Sequence, residues 1–222
     1  MKDGILIIDK PSGITSHDCV DLVRKKLKTK RVGHSGTLDP VATGVLVLLV
    51  GKATKLFSKF VSFDKEYEAT LKLGIVTSTG DSEGKILSEA DIAHLTEADV
   101  RKVFEEFVGQ REQVPPMVSA IKHHGQRLYE LARRGIEVER KSRPINLYEL
   151  KITRMQLPEI DFFVRCSKGT YIRRLGEEIG EKLGVGGFIS YIRRVSLGPF
   201  SIKEAAKIED VNESYLRDWK FS

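Results

Sequence analysis

One carboxylate in this chain is placed as a reactive one would be. Asp39 sits in Gly33-His34-Ser35-Gly36-Thr37-Leu38-Asp39-Pro40. Ahead of it run Arg24, Lys25, Lys26, Lys28, Lys30 and Arg31, and after it Gly44 opens the apolar run Val45-Leu46-Val47-Leu48-Leu49-Val50. Six consecutive aliphatic residues read as a strand buried on both faces. The glycine-rich loop therefore hangs from the core and, beside so much positive charge, faces an anion. An aspartate with an ordinary pKa of about 4 is ionised at neutral pH, so it can attack carbon without a base to activate it. Taken alone, Asp-Pro beside glycines is equally the chemistry of a turn. The rest of the sequence has to decide.

Other chemistries lack their residues. There is no GxGxxG, and Gly51-Lys52-Ala53-Thr54 lacks the upstream glycine and the adjacent hydroxyl of a phosphate-binding loop. The histidines at 17, 34, 94, 123 and 124 show no metal-ligand spacing with a third donor, and Cys19 and Cys166 fall in no paired spacing. No nucleotide hydrolysis, no catalytic metal and no disulfide framework are predicted. With 37 Lys and Arg against 31 Asp and Glu, the net charge is +6 and the pI about 9.2, which favours a polyanionic partner over an acidic small molecule. The longest apolar run is far too short to cross a bilayer and the N-terminus does not read as a signal peptide, so no membrane partner and a cytoplasmic location are expected.

The elements that must position Asp39 are legible in outline. Ile5-Ile8 reads as a short buried strand ending in the turn Lys10-Pro11-Ser12-Gly13. Thr15 and Asp18 then form a capping box for a helix whose apolar stripe is Cys19, Val20, Val23 and Leu27, and which delivers the basic run toward the loop. Lys65 to Leu73 alternates, turning Tyr67, Ala69, Leu71 and Leu73 inward. Thr96 and Asp99 cap a second helix with the stripe Val100, Val103, Phe104 and Phe107, which Gly109 can close. Residues 114–143 read as a basic excursion, with Lys122, His123, His124, Arg127, Arg133, Arg134, Arg140, Lys141 and Arg143 around Tyr129. With few apolar residues it is expected to be mobile and to order on a nucleic acid. Strands are predicted over Pro144–Arg154 and Ile160–Cys166, followed by a helix to Leu183 with Gly184 as its C-cap. Phe188 to Leu197 then ends at Gly198-Pro199. No repeat and no linker appears, so residues 1–222 read as one domain.

Read in order, five segments bear a resemblance to a known family. These are Lys10-Pro11-Ser12-Gly13-Ile14-Thr15-Ser16; Gly33 to Pro40 with Ala42-Thr43-Gly44; Lys65-Glu66-Tyr67; Ser119-Ala120-Ile121-Lys122; and Cys166-Ser167-Lys168-Gly169-Thr170-Tyr171-Ile172-Arg173. Over nearly its whole length the chain resembles the catalytic domain of the bacterial TruB-type tRNA pseudouridine synthases. The resemblance implies an α+β fold with a mixed, mainly antiparallel central sheet flanked by helices. It also implies isomerisation of one uridine in the T loop of tRNA, at position 55, to pseudouridine. It places the nucleophile at Asp39 and its counter-ion at Arg173, with a phosphate contact as the alternative role for Arg173. Tyr67 would stack on the target base, Tyr171 and Ile192 would complete the base pocket, and His34 would fill the stack that a flipped uridine leaves. No cofactor is implied, because the reaction has no net redox change.

Many bacterial relatives continue into a small RNA-binding domain of the PUA type, whereas this sequence stops at Ser222 soon after Trp219. That domain is expected to be absent or truncated, with no guide RNA as partner and a monomeric enzyme. The rival from another class is a non-catalytic RNA-binding or chaperone protein. A pure binder has no use for a carboxylate among phosphates, where it repels the ligand, so Asp39 together with Arg173 favours catalysis.

Overall fold

The computed structural model describes residues 3–218; Trp219 to Ser222, on which the expectation about the chain's end turns, lie outside the described residues. In chain order the elements are β1 (Gly4–Lys10), α1 (Ser16–Lys26), β2 (Val32–His34), β3 (Thr43–Val50), α2 (Phe57–Val61), β4 (Lys65–Leu73), β5 (Ile75–Thr77) and β6 (Ile86–Glu89). There follow α3 (Glu97–Glu106), β7 (Gly109–Gln113), β8 (Lys122–His123), β9 (Gln126–Arg127), α4 (Leu128–Arg133), β10 (Arg143–Gln156) and β11 (Glu159–Cys166). The last are α5 (Ile172–Lys182), β12 (Gly187–Leu197), β13 (Phe200–Ser201) and β14 (Ala206–Lys207). The fold is α+β with mainly antiparallel sheet, as the family resemblance implies. By its contacts the chain divides into two compact units, residues 1–68 with 192–222 and residues 69–191.

In the first unit the strand order is β14-β1-β3-β12. β1 and β3 are antiparallel, with Gly4 opposite Val50 and Lys10 opposite Gly44. Ile5 to Ile8 and Val45 to Val50 are all buried, which explains the unbroken apolar runs: a strand covered on both faces has no polar side to show. One core lies where Ile5, Ile7, Val45, Val47 and Leu49 meet Phe60, Leu197 and Phe200, the last two rings at Phe60 and Phe200 stacked 5.5 Å apart. Helix α1 starts on the expected capping box. The Thr15 hydroxyl accepts from the Asp18 amide, the Asp18 carboxylate accepts from the Thr15 amide, and Cys19, Val20, Val23 and Leu27 are buried. The predicted loop is shorter than its motif. Val32-Gly33-His34 forms strand β2 against β3, because the bonding edge of Leu48 to Val50 is open to a partner there.

The second unit carries the strand order β12-β4-β11-β10-β7. β10 and β11 are antiparallel from Leu147 opposite Cys166 to Gln156 opposite Glu159, close to the predicted strands. Helix α3 begins on the Thr96–Asp99 capping box and sets Phe104 edge-on against Phe162 at 5.7 Å. It ends at its C-cap Phe107, and Gly109, with φ +107°, opens β7. Gly184, with φ +78°, follows the C-cap Leu183 of α5, the left-handed position that glycine fills at helix ends. Phe188 to Leu197 lies within strand β12. The basic excursion holds more structure than its composition predicts. β8 and β9 form a hairpin, α4 buries Leu128 and Leu131, and the Arg140 guanidinium donates to the Pro115 carbonyl at 3.1 Å. Two leucines three residues apart, on one face of a short helix, supply the apolar anchor that a charge count overlooks.

Helix α5 carries a glycine where an alanine would ordinarily be better. A Cβ on Gly180 would lie 2.3 Å from the Gly186 carbonyl carbon and 2.4 Å from the Gly187 nitrogen, so the chain passes over the helix at backbone distance. On an exposed helix, Gly→Ala stabilises by about 1 kcal/mol. Gly180→Ala is expected to do the opposite, lowering stability by ~2 kcal/mol or more through overpacking against backbone. Thermal or urea unfolding reads the sign, and a stabilised variant would refute the close approach.

Candidate active site

The Asp39 loop is held by its backbone, from three directions, all within the first unit. At its centre Leu38 is buried, and the buried Ser16 hydroxyl takes both of its polar groups, accepting from the Leu38 amide at 2.8 Å and donating to the Leu38 carbonyl at 3.0 Å. On the far side of Asp39, the Pro40 carbonyl accepts from the Gly13 amide at 2.9 Å and from Lys10 Nζ at 3.2 Å. Lys10 Nζ also donates to the carbonyls of Pro11 at 2.8 Å and Ile14 at 2.7 Å. On the near side, Arg194 Nη2 donates to the Gly36 carbonyl at 3.2 Å and Nε to the Val45 carbonyl at 2.8 Å. Asp39 itself is half-buried, and its carbonyl accepts from the Ala42 amide at 3.1 Å, closing a turn.

Two fully buried cations therefore hold the backbone of this loop: Lys10 is 0% and Arg194 1% exposed. Burial pushes the Lys10 ammonium below the ordinary lysine range, and the negative charges of Asp39 and Asp18 pull against that shift. The same burial pushes the Cys19 thiol up to about 11, so it stays a neutral member of the core.

His34, Tyr67 and Ile192 lie in the same unit as Asp39. His34 is half-buried on β2 opposite Leu48, with its Nδ1 accepting from the Gly36 amide at 3.4 Å. Tyr67 is buried on the inward face of β4, as the alternation predicts, and Ile192 is buried on β12 while Tyr191 beside it is exposed. Tyr171 and Arg173 belong to the second unit. Tyr171 is half-buried at the N-cap of α5, where the Gln113 side chain accepts from its amide at 2.8 Å and donates to its carbonyl at 3.2 Å. Arg173 is 3% exposed and donates to the carbonyls of Thr79 and Val118, each at 2.8 Å, with the buried Asp81 carboxylate 3.6 Å away. Asp81 in turn accepts from the Glu83 amide at 3.1 Å and from the Thr79 hydroxyl. A guanidinium so enclosed is a fixed charge of the interior.

Sequence reading missed the residues that hold the site. Lys10 and Ser16 stand inside a quoted segment but read there as turn and helix start, and Arg194 reads as one more basic residue. The available signal for Asp81 is the string Thr77-Ser78-Thr79-Gly80-Asp81, dense in hydroxyls around a glycine. Removing the Ser16 hydroxyl leaves a buried amide and a buried carbonyl without partners. Ser16→Ala is expected to lose about 1–3 kcal/mol of stability at unchanged denaturant slope, read from the urea midpoint. A midpoint within error of the parent would show that the clamp is dispensable.

Against known proteins, residues 24–172 match the family model "TruB family pseudouridylate synthase (N terminal domain)", and residues 173–220 match "tRNA pseudouridylate synthase B C-terminal domain". The tRNA pseudouridine synthase B of Clostridium tetani is 46% identical over 98% of this chain and 75% of that protein. That of Opitutus terrae is 45% identical over 94% of this chain and 87% of that protein. Among solved structures, a Cbf5-Nop10-Gar1 complex matches with TM-score 0.74 at 31% identity over 93% of this chain. An H/ACA RNP bound to a substrate RNA containing 2′-deoxyuridine matches with TM-score 0.69 at 28% identity. This chain spans about half the length of each of those two chains, 53% and 51%. A half-buried aspartate on a loop clamped by buried cations, in a sequence matched by these models from residue 24 to residue 220, places the chain in the TruB family of pseudouridylate synthases, which are isomerases.

Proposed function

We propose that this enzyme converts the uridine at position 55, in the T loop of tRNA, to pseudouridine, with Asp39 as nucleophile. The observation that carries the reading is the clamped loop. Its three restraints bond to backbone groups of Gly36, Leu38 and Pro40, so the Asp39 carboxylate is oriented by neighbours that do not compete for its oxygens. The names of the curated bacterial relatives support tRNA as the substrate and give no place to a guide RNA. In the net reaction the bond from N1 of the base to C1′ of the ribose breaks and a bond from C5 to C1′ forms; the hydrogen on C5 leaves as a proton and N1 takes one up, so no atom is gained or lost overall.

A uridine stacked inside a folded loop cannot reach such a carboxylate. It must be extruded, at a cost of a few kcal/mol. Tyr67 is assigned to stacking on the extruded base, Tyr171 and Ile192 to its pocket, and His34 to the vacated stack. Arg173 is assigned as the cation that keeps the reacting carboxylate ionised. A phenol with an ordinary pKa near 10 is a weak base, so stacking is the role given to Tyr67. The basic excursion supplies backbone contacts: Arg127 and Arg133 lie over the Tyr129 ring at 5.9 and 5.5 Å, a charged surface suited to RNA.

Incubating unmodified tRNA carrying tritium at C5 of its uridines tests the chemistry. The parent enzyme is expected to release tritium and Asp39→Asn to release none. Equal release from both would remove Asp39 from the reaction, and release from neither would leave the non-catalytic RNA binder. Filter binding across salt tests the interface: log K should fall linearly with log salt, with a slope of roughly −0.9 to −0.7 per phosphate contacted. A flat response would exclude binding through the basic surface.

A further inference from the structure

Among the described residues Arg194 is the largest fully buried side chain, at 1% exposed. It stands on β12 in parallel register with Gly44, where that strand meets the residue that ends the Asp39 loop. The approach is possible only at glycine. A Cβ on Gly44 would fall 2.2 Å from the Arg194 carbonyl oxygen and 2.8 Å from its nitrogen, and Gly44 has φ +102°. From this position one guanidinium bonds to both arms of the loop, to Gly36 three residues before Asp39 and to Val45 six residues after it. Its hydrogen bonds run to carbonyls alone, and among the described residues no carboxylate lies within ion-pair distance of it.

An enclosed guanidinium cannot discharge itself by losing a proton, and carbonyls solvate it without neutralising it. If its role were only to brace the sheet, a neutral donor would brace as well without the desolvation cost of a charge. The excess positive charge is useful where a negative charge has to be held close by. Lys10, which clamps the other side of the loop, feels both charges, that of Asp39 and that of Arg194.

We propose that Arg194 is a positioning residue for catalysis: it ties the two arms of the loop to each other, so that the Asp39 carboxylate has one orientation, and it contributes a permanent charge that favours the carboxylate as an anion. This inference rests on the reading of Asp39 as nucleophile. A displacement of about 1 Å at a reacting centre costs on the order of 100-fold in rate. Loosening the tie should therefore appear in the chemical step and leave RNA binding intact.

Arg194→Lys, which keeps the charge, and Arg194→Gln, which keeps a donor but loses the charge, are the informative variants. Each is compared with the parent in melting temperature, in tRNA Kd by filter binding, and in single-turnover tritium release with enzyme in excess. Arg194→Lys is expected to hold tRNA within about twofold of the parent and to react ~10- to 100-fold more slowly. Arg194→Gln, which gives up the charge as well as the tie, should hold tRNA equally well and be slower still. Folded variants with the parent's single-turnover rate would overturn the proposal, as would a loss carried wholly by Kd. If neither variant folds, Arg194 serves the stability of the sheet and the proposal also falls. An Asp39→Asn enzyme that still releases tritium would instead show that the underlying assignment of Asp39 is the error.

Discussion

On the proposed assignment of Asp39 as nucleophile, its carboxylate has to be placed by the backbone that carries it. In this chain the solution is to anchor the peptide groups on either side of it. Lys10 takes the Pro40 carbonyl, Ser16 the amide and carbonyl of Leu38, and Arg194 the carbonyls of Gly36 and Val45. Burying an ammonium and a guanidinium is costly, and each hydrogen bond from a charged donor returns only about 1.5–3 kcal/mol net. Three bonds on Lys10 and two on Arg194 are what make these charges tolerable inside the first unit. Loss of a loop carbonyl from its place would therefore expose a poorly solvated cation, and the geometry of the loop and the burial of the charges enforce each other.

The sheet makes this arrangement possible. β1 and β3 are covered on both faces, so a residue at the end of β1 enters the interior whatever its type. Lys10 occupies that end, opposite Gly44, and its four-carbon stem fills apolar space while its head finds the turn carbonyls of Pro11 and Ile14. Gly44 serves the other clamp by giving up its side chain to the backbone of Arg194. Two residues that pair across β1 and β3 are thereby committed to the same loop, one by supplying a charge and the other by leaving room for one.

What could be read from the sequence follows from which features are local. The capping boxes at Thr15–Asp18 and Thr96–Asp99, the glycine after Leu183, and the runs Ile5–Ile8 and Val45–Val50 each carry their signal within a few residues. The start of the Asp39 motif reads as loop because three residues, Val32-Gly33-His34, show no periodicity; they are strand only because β3 offers them an edge. Lys10 and Arg194 were unreadable as interior residues, since nothing local distinguishes a lysine or arginine bound for the core from one bound for water. Their burial depends on carbonyls contributed from 30 and 158 positions away. The same limit applies to the excursion, where Leu128 and Leu131 outweigh the charge around them once α4 has formed.

The formal charge of +6 accordingly mixes two populations. Exposed residues such as Lys25, Lys28, Arg31 and Arg134 face water, exchange counterions and weaken as salt rises. Lys10, Arg173 and Arg194 are enclosed, where mobile ions do not reach, and their fields act at short range on groups fixed around them. Counting both alike overstates the charge available at the surface and hides the charge fixed in the interior. An enzyme that must let go of a long polyanion after each turnover gains from this separation. The attraction that brings RNA in is dispersed and screenable, whereas the electrostatics around the Asp39 loop are built into the core and persist whether RNA is present or not.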